Sequence, residues 1–134
     1  MTRFHAVSLP LALTVGSLLT GCDATSPQAC SSVLTAVPVV LVDGSGAPVT
    51  PAAVTSVLAR TGETLLTAPE VQSPQGSYVI LTDNAVNTLR RSGDTVDVTF
   101  SQGGIDLLTA EFAFDVPGGC HIRLTAGPDS LVVP

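Results

Sequence analysis

The sequence predicts an all-β fold, a single antiparallel β-sandwich of about seven strands with one short helix. Residues 95–101 and 111–116 alternate between apolar and polar side chains, which is typical of a sheet that covers a core on one face. Clusters of glycine, proline and polar residues separate the apolar segments at the spacing of hairpin turns. A chain of 134 residues has room for one such domain.

Seven segments are candidate strands, and their side-chain patterns differ. Residues 36–42 are nearly all apolar, which predicts a strand buried on both faces. In residues 120–125, Cys120 and Ile122 share the inward face, whereas His121 is expected to point into solvent. The predicted strands cover residues 36–42, 54–59, 77–82, 95–101, 111–116, 120–125 and 131–133.

One segment predicts a helix instead. Asp83 can cap the N-terminus, Arg90 and Arg91 favour a C-terminus, and Gly93 can end the helix. We expect a two-turn helix over Asn84–Arg91 that crosses between the sheets, with the two arginines at its solvated end.

The N-terminal residues predict a cleaved secretory signal peptide, which we expect to cover residues 1–21. Arg3 gives the basic start, and residues 6–21 carry no charge. This uncharged stretch is shorter than the roughly 20 residues that a membrane-spanning helix needs. Residues 22–31 are predicted to be a lipid-anchored linker and residues 32–134 the β-sandwich domain.

The residues Leu19-Thr20-Gly21-Cys22 resemble the lipobox of bacterial lipoproteins. The resemblance implies that Cys22 carries a lipid and becomes the first residue after cleavage, so that the domain is anchored to a membrane on the extracytoplasmic side of the cell envelope. A plain secretory signal that contains a cysteine and a cytosolic apolar terminus are the alternatives. Asp23 resembles an inner-membrane retention signal, but which membrane holds the protein stays open.

The chain that follows residue 21 is strongly acidic. It holds four arginines, no lysine and eleven acids, which give a formal net charge of −7. Nucleic-acid partners are not expected, because phosphate binding depends on clustered lysine and arginine. The same net charge disfavours contact with anionic head groups.

Once Cys22 is assigned to the lipid, Cys30 and Cys120 remain. An even pair in an exported chain predicts one disulfide, with free thiols or a metal pair as alternatives. Two cysteines and one histidine after residue 21 do not complete a four-ligand zinc site. We therefore expect no metal and no cofactor.

Short motifs in the domain resemble the carboxypeptidase-regulatory-like, or transthyretin-like, β-sandwich modules of envelope lipoproteins, which share the immunoglobulin-like architecture. The residues that carry the likeness are 39–49, 53–55, Gly76-Ser77-Tyr78 and Gly119-Cys120-His121. The resemblance implies a fold and no particular activity. Related hydroxyisourate hydrolases use several histidines and a Tyr-Arg-Gly-Ser tail, whereas this chain ends in Leu131-Val132-Val133-Pro134.

Function is the least constrained property. The leading hypothesis is a non-enzymatic structural or protein-interaction module with an unknown envelope partner. A small-ligand-binding protein is the second, and a hydrolase that uses His121, the single histidine after residue 21, is the third. The scattered acids lack the spacing of a calcium loop, and Val49 stands where a dinucleotide loop after Gly44 would need its third glycine.

Overall fold

The computed structural model describes residues 30–134; the predicted signal peptide, Cys22 and the linker up to residue 29 lie outside the described residues. The described chain is mostly β, with eight strands in two sheets, as the sequence predicts. The strands are β1 (Ala36–Val42), β2 (Ala52–Leu58), β3 (Glu63–Val71), β4 (Ser77–Thr82), β5 (Asp94–Gln102), β6 (Ile105–Asp115), β7 (Arg123–Ala126) and β8 (Ser130–Val132).

The two sheets have the strand orders β4-β1-β8 and β3-β2-β5-β6-β7. All pairs are antiparallel except β1 with β8, where Val40–Val42 run parallel to Ser130–Val132. The predicted antiparallel sandwich is confirmed, and this pair is its single departure within the described chain. The chain reaches β8 by crossing over from β7 in the other sheet, so no hairpin forces β8 to run antiparallel to β1.

The core lies between the sheets. In β2 and β5, alternate residues are buried, which confirms the predicted period of two. Phe100, Phe112 and Phe114 are fully buried among valine, leucine and isoleucine side chains. The ring of Tyr78 packs edge-on against that of Phe100, with the two ring centroids 6.2 Å apart. The Tyr78 hydroxyl donates to the carbonyl oxygen of Val49.

Strand β1 does not match its predicted burial on both faces. Val39 and Leu41 are buried, whereas Val40 is half-buried. Only one face of the three-stranded sheet meets the other sheet, so the apolar run covers the core with every second residue.

The predicted helix over Asn84–Arg91 is wrong. A single 3₁₀ turn spans Asp83–Ala85, and the Thr82 hydroxyl accepts from the amide of Asn84 at its start. One further α-type hydrogen bond joins the Leu89 amide to the Ala85 carbonyl before the chain turns into β5. The carboxylate of Asp83 does not cap this turn, because it binds groups from distant parts of the chain.

Both outer strands of the large sheet, β3 and β7, differ from the prediction. Strand β3 was not predicted, because its residues are largely exposed, include Pro69 and show no clean alternation. Strand β7 begins at Arg123, so Cys120 and His121 precede it, after a 3₁₀ turn over Pro117–Gly119.

Candidate functional site

The chain enters the domain at Cys30, whose sulfur lies 2.00 Å from that of Cys120, at disulfide bonding distance. The two Cα atoms are 5.2 Å apart, and the residues are 90 positions apart in sequence. The pair predicted from cysteine counting is therefore the pair that meets, and it ties the segment before β1 to the turn before β7.

Asp83 is the centre of a cluster beside this disulfide. Its Oδ2 accepts from the backbone amide of Thr35 at 2.7 Å, and its Oδ1 accepts from that of Ile122 at 2.9 Å. The amide of Asp83 in turn donates to the Thr35 carbonyl. These bonds hold both the entering segment and the start of β7 against the end of β4.

His121 completes the cluster. Its Nδ1 lies 2.7 Å from Asp83 Oδ2, and its Nε2 lies 2.9 Å from the Ser31 hydroxyl oxygen. A neutral imidazole with its proton on Nδ1 satisfies both contacts, since Nδ1 then donates to the carboxylate and Nε2 accepts from the serine. The side chain of His121 is 31% exposed, so the predicted solvent-facing histidine is instead half-buried and hydrogen-bonded. We call Cys30, Ser31, Thr35, Asp83, Cys120 and His121 the entry cluster.

The acid of the entry cluster stays ionised to low pH. Burial raises the pKa of Asp83, but the hydrogen bonds from His121, Thr35 and Ile122 together outweigh it and lower the pKa from 3.8 to about 2. The carboxylate is therefore negative at neutral pH and accepts hydrogen bonds from Thr35 and Ile122.

In chemical terms, Ser31, His121 and Asp83 stand in the order hydroxyl, imidazole, carboxylate. Such a row can move a proton from the hydroxyl to Nε2 while the carboxylate orients the ring. The sequence offers no signal for this arrangement, because its members lie 38 and 90 positions apart. Within residues 30–134, no enclosed pocket is detected, and no three side chains of metal-ligating type converge.

A second polar cluster lies nearby at the start of β5. The side chain of Asp94 is fully buried and accepts from Nε of Arg60 at 3.1 Å and Nε of Arg90 at 2.8 Å. It also accepts from the backbone amide of Arg90. The hydrogen bond from Arg60 is the largest influence on the pKa of Asp94, which falls from 3.8 to about 2 although burial opposes the change.

Arg90 and Arg91, which were predicted to share a solvated helix end, make different contacts. Arg90 binds the buried carboxylate of Asp94, whereas Arg91 is exposed and lies over Gly119, where an added Cβ would come 2.8 Å from its Nη2. Nothing in the sequence marks Asp94 as buried, because the residue sits at the edge of an alternating strand.

No helix within the described range is long and apolar enough to cross a membrane. The predicted lipid attachment at Cys22 lies outside that range. The chain matches no family model, no curated protein and no solved structure in the comparisons made.

Proposed function

We propose that the protein is a lipid-anchored lipoprotein of the bacterial cell envelope, whose β-sandwich serves as a non-enzymatic structural or interaction module. The observation that carries this proposal is the place where the chain enters the domain. Cys30 follows the lipobox-like Cys22 by eight residues and is fastened at one end of the sandwich through Cys120. Eight residues span at most about 28 Å when fully extended, so the anchor would hold the domain near the membrane.

The interaction role is supported by the outer strands of the two sheets. Val132 on β8, Val71 on β3 and Val79 on β4 are 60%, 47% and 39% exposed. A strand at the edge of a sheet can take up an extended partner segment through backbone hydrogen bonds. We expect the envelope partner to bind along such an edge, and crosslinking in intact envelopes is the direct way to capture it.

The module is similar in plan to the transthyretin-like domains that its motifs resemble. The support is the two-sheet sandwich, the turn of residues 43–46 after β1, and Gly76, which directly precedes β4. The Gly119-Cys120-His121 motif lies in the turn before β7, not within a strand.

The anchor is tested by Cys22→Ser. We expect this variant to move from the membrane fraction to the soluble fraction of exported protein, because it lacks the thiol that would carry the lipid. Membrane flotation measures the distribution, and mass spectrometry of the N-terminal peptide measures the lipid. The double variant Cys30→Ser/Cys120→Ser is the matched control, since it removes the other two thiols and should stay with the membrane. Unchanged flotation of Cys22→Ser would contradict the anchor.

A second candidate function, a serine hydrolase, is favoured by one specific observation: the hydrogen-bonded row of Ser31, His121 and Asp83. In this function Ser31 would attack an acyl or phosphoryl centre while Nε2 of His121 takes its proton. Asp83 would hold the ring in the required tautomer.

The hydrolase is tested with a fluorophosphonate probe on the folded protein. If the row is catalytic, Ser31 Oγ bonds to phosphorus, fluoride leaves, and the proton passes to His121. Labelling should then be lost in Ser31→Ala and His121→Ala and should fall at least tenfold in Asp83→Asn. Ser32→Ala is the control, because it changes a neighbouring hydroxyl with no contact to His121 described. Absence of labelling at Ser31 in the unchanged protein rejects this function.

A further inference from the structure

The four arginines within residues 30–134 lie at one end of the sandwich, the end that also holds His121 and the entry cluster. Arg60 follows β2, and Arg90 and Arg91 precede β5. Arg123 is the first residue of β7 and pairs with Asp115, the last residue of β6. Because β2, β5, β6 and β7 are antiparallel neighbours in that order, the end of β2, the start of β5, the end of β6 and the start of β7 meet at one end of the large sheet. We call this end of the sheet, with its four arginines, the arginine end.

The chain also enters the domain at the arginine end. Ala36, at the start of β1, pairs with Thr82, at the end of β4, and Cys30 is bonded to Cys120 in the turn between β6 and β7. The proposed anchor at Cys22 is therefore joined to the sandwich on the side that holds all four arginines of the described chain.

The acids at the arginine end are covered by their partners. The side chains of Asp94, Asp83 and Asp115 are 0%, 10% and 18% exposed. The arginine side chains that contact Asp94 and Asp115 are much more exposed: Arg60 is 39%, Arg90 58% and Arg123 61% exposed. The surface at this end thus presents guanidinium groups, each with donors beyond those that its carboxylate uses. Glu63 is the one exposed acid beside them within the described chain.

The rest of the domain is acidic. The six remaining acids of the described chain lie along the sheets and at the opposite end, with no arginine or lysine among them: Asp43, Glu70, Asp97, Asp106, Glu111 and Asp129. The net charge of the domain predicts repulsion from anionic head groups, but the charges are segregated. Repulsion acts on the body of the domain. The arginine end, where four arginines balance Asp83, Asp94, Asp115 and Glu63, is formally neutral and offers exposed guanidinium donors to phosphate.

We infer that the arginine end is the membrane-facing surface of the protein and docks on the head groups of anionic phospholipids. The inference rests on the proposed lipid anchor. The tether of about 28 Å at most brings this end to the bilayer before any other, and the acidic body is turned away. Each arginine near an anionic surface is worth roughly a fivefold change in the docked population.

The experiment uses the full lipidated protein in vesicles of phosphatidylcholine with and without phosphatidylglycerol, followed by hydrogen–deuterium exchange. We expect exchange of residues 90–93 and 117–123 to slow in the anionic vesicles and to recover in high salt, because salt screens the contact. Residues 43–46 and 102–106, at the opposite end, should exchange equally in both vesicles.

Arg91→Gln/Arg123→Gln is the test variant, since neither side chain supports the buried Asp94. We expect the docked population to fall by about 25-fold, fivefold for each arginine, so that the protection is lost. Glu70→Gln/Asp106→Asn is the matched control at the far end and should keep it. The inference is overturned if anionic vesicles slow exchange equally at both ends or at neither. It is also overturned if the slowing at the arginine end survives in the arginine variant. Flotation separates this failure from that of the anchor, since protein that floats without protection retains the anchor and lacks only the docked orientation.

Discussion

Removing both Cys30 and Cys120 is expected to lower the free energy of unfolding by about 4–5 kcal/mol, the largest single effect in the protein. The bond closes a loop of 90 residues, nearly the whole described domain. Without it the unfolded chain gains conformational freedom, while the folded sheets keep their hydrogen bonds. Urea denaturation of Cys30→Ala/Cys120→Ala, in a Cys22→Ser background that lacks the proposed lipid attachment, measures the change.

Part of this loss is offset in the folded state, because residues 30–35 also gain freedom when the bond is absent. The contacts of Asp83 with Thr35 and of His121 with Ser31 limit that gain. The reduced Cys22→Ser parent is the control, since it has the same open loop with both cysteines present, and it should unfold at the same urea concentration as the double alanine variant. A double variant within 1 kcal/mol of the oxidised parent would contradict the stabilising role of the bond.

Asp94→Asn is expected to lower the free energy of unfolding by about 2–3 kcal/mol at neutral pH. The carboxylate is fully buried and accepts hydrogen bonds from Arg60 and Arg90. An amide of the same shape turns a donor toward these guanidinium groups and removes the negative charge that pairs with them. Chemical denaturation at pH 7 measures the change, again in the Cys22→Ser background.

The same variant changes the response to acid. The folded-state pKa of Asp94 is lowered from 3.8 to about 2, so its contribution is complete above about pH 5 and is lost as the pH falls through 3.8 toward 2. Asp94→Asn should therefore flatten the acid limb of the stability curve, leaving the part that Asp83 contributes over the same range. Thermal denaturation between pH 2 and pH 7 follows this difference.

Asp97→Asn is the matched control on the same strand. Asp97 lies opposite Glu111 across the β5–β6 pair, and like charges in that position repel. We expect the substitution to leave stability unchanged or raise it by a few tenths of a kcal/mol. An equal loss in Asp94→Asn and Asp97→Asn would show that the buried ion pairs contribute nothing specific.

The strands that the sequence predicts well are those with one buried face. Residues 95–101 and 111–116 alternate between apolar and polar side chains because a pleated strand points every second side chain toward the core. That period is visible in the sequence without any partner strand. Strand β3 lies at an edge and lacks a consistently buried face, so it carries no such pattern.

The helix over Asn84–Arg91 shows how local signals mislead. Asp83 has the residue type of a cap, yet its carboxylate binds the amides of Thr35 and Ile122, which only the folded chain brings near. Arg90 has the residue type of a helix C-terminus, yet it binds Asp94, four residues further on at the start of β5. The distant partners of Asp83 and the contact of Arg90 with a strand residue outweigh the modest preference of eight residues for a helix.

By itself the sequence determined the all-β class and the cysteine pair, since these are encoded in local periodicity and residue counting, and its contiguous motif ending at Cys22 predicts export. Only the tertiary structure decided the entry cluster, the burial of Asp94 and the gathering of the four arginines where the chain enters. These features join residues tens of positions apart, and which strand ends meet depends on sheet order, a property that no short segment of the chain carries.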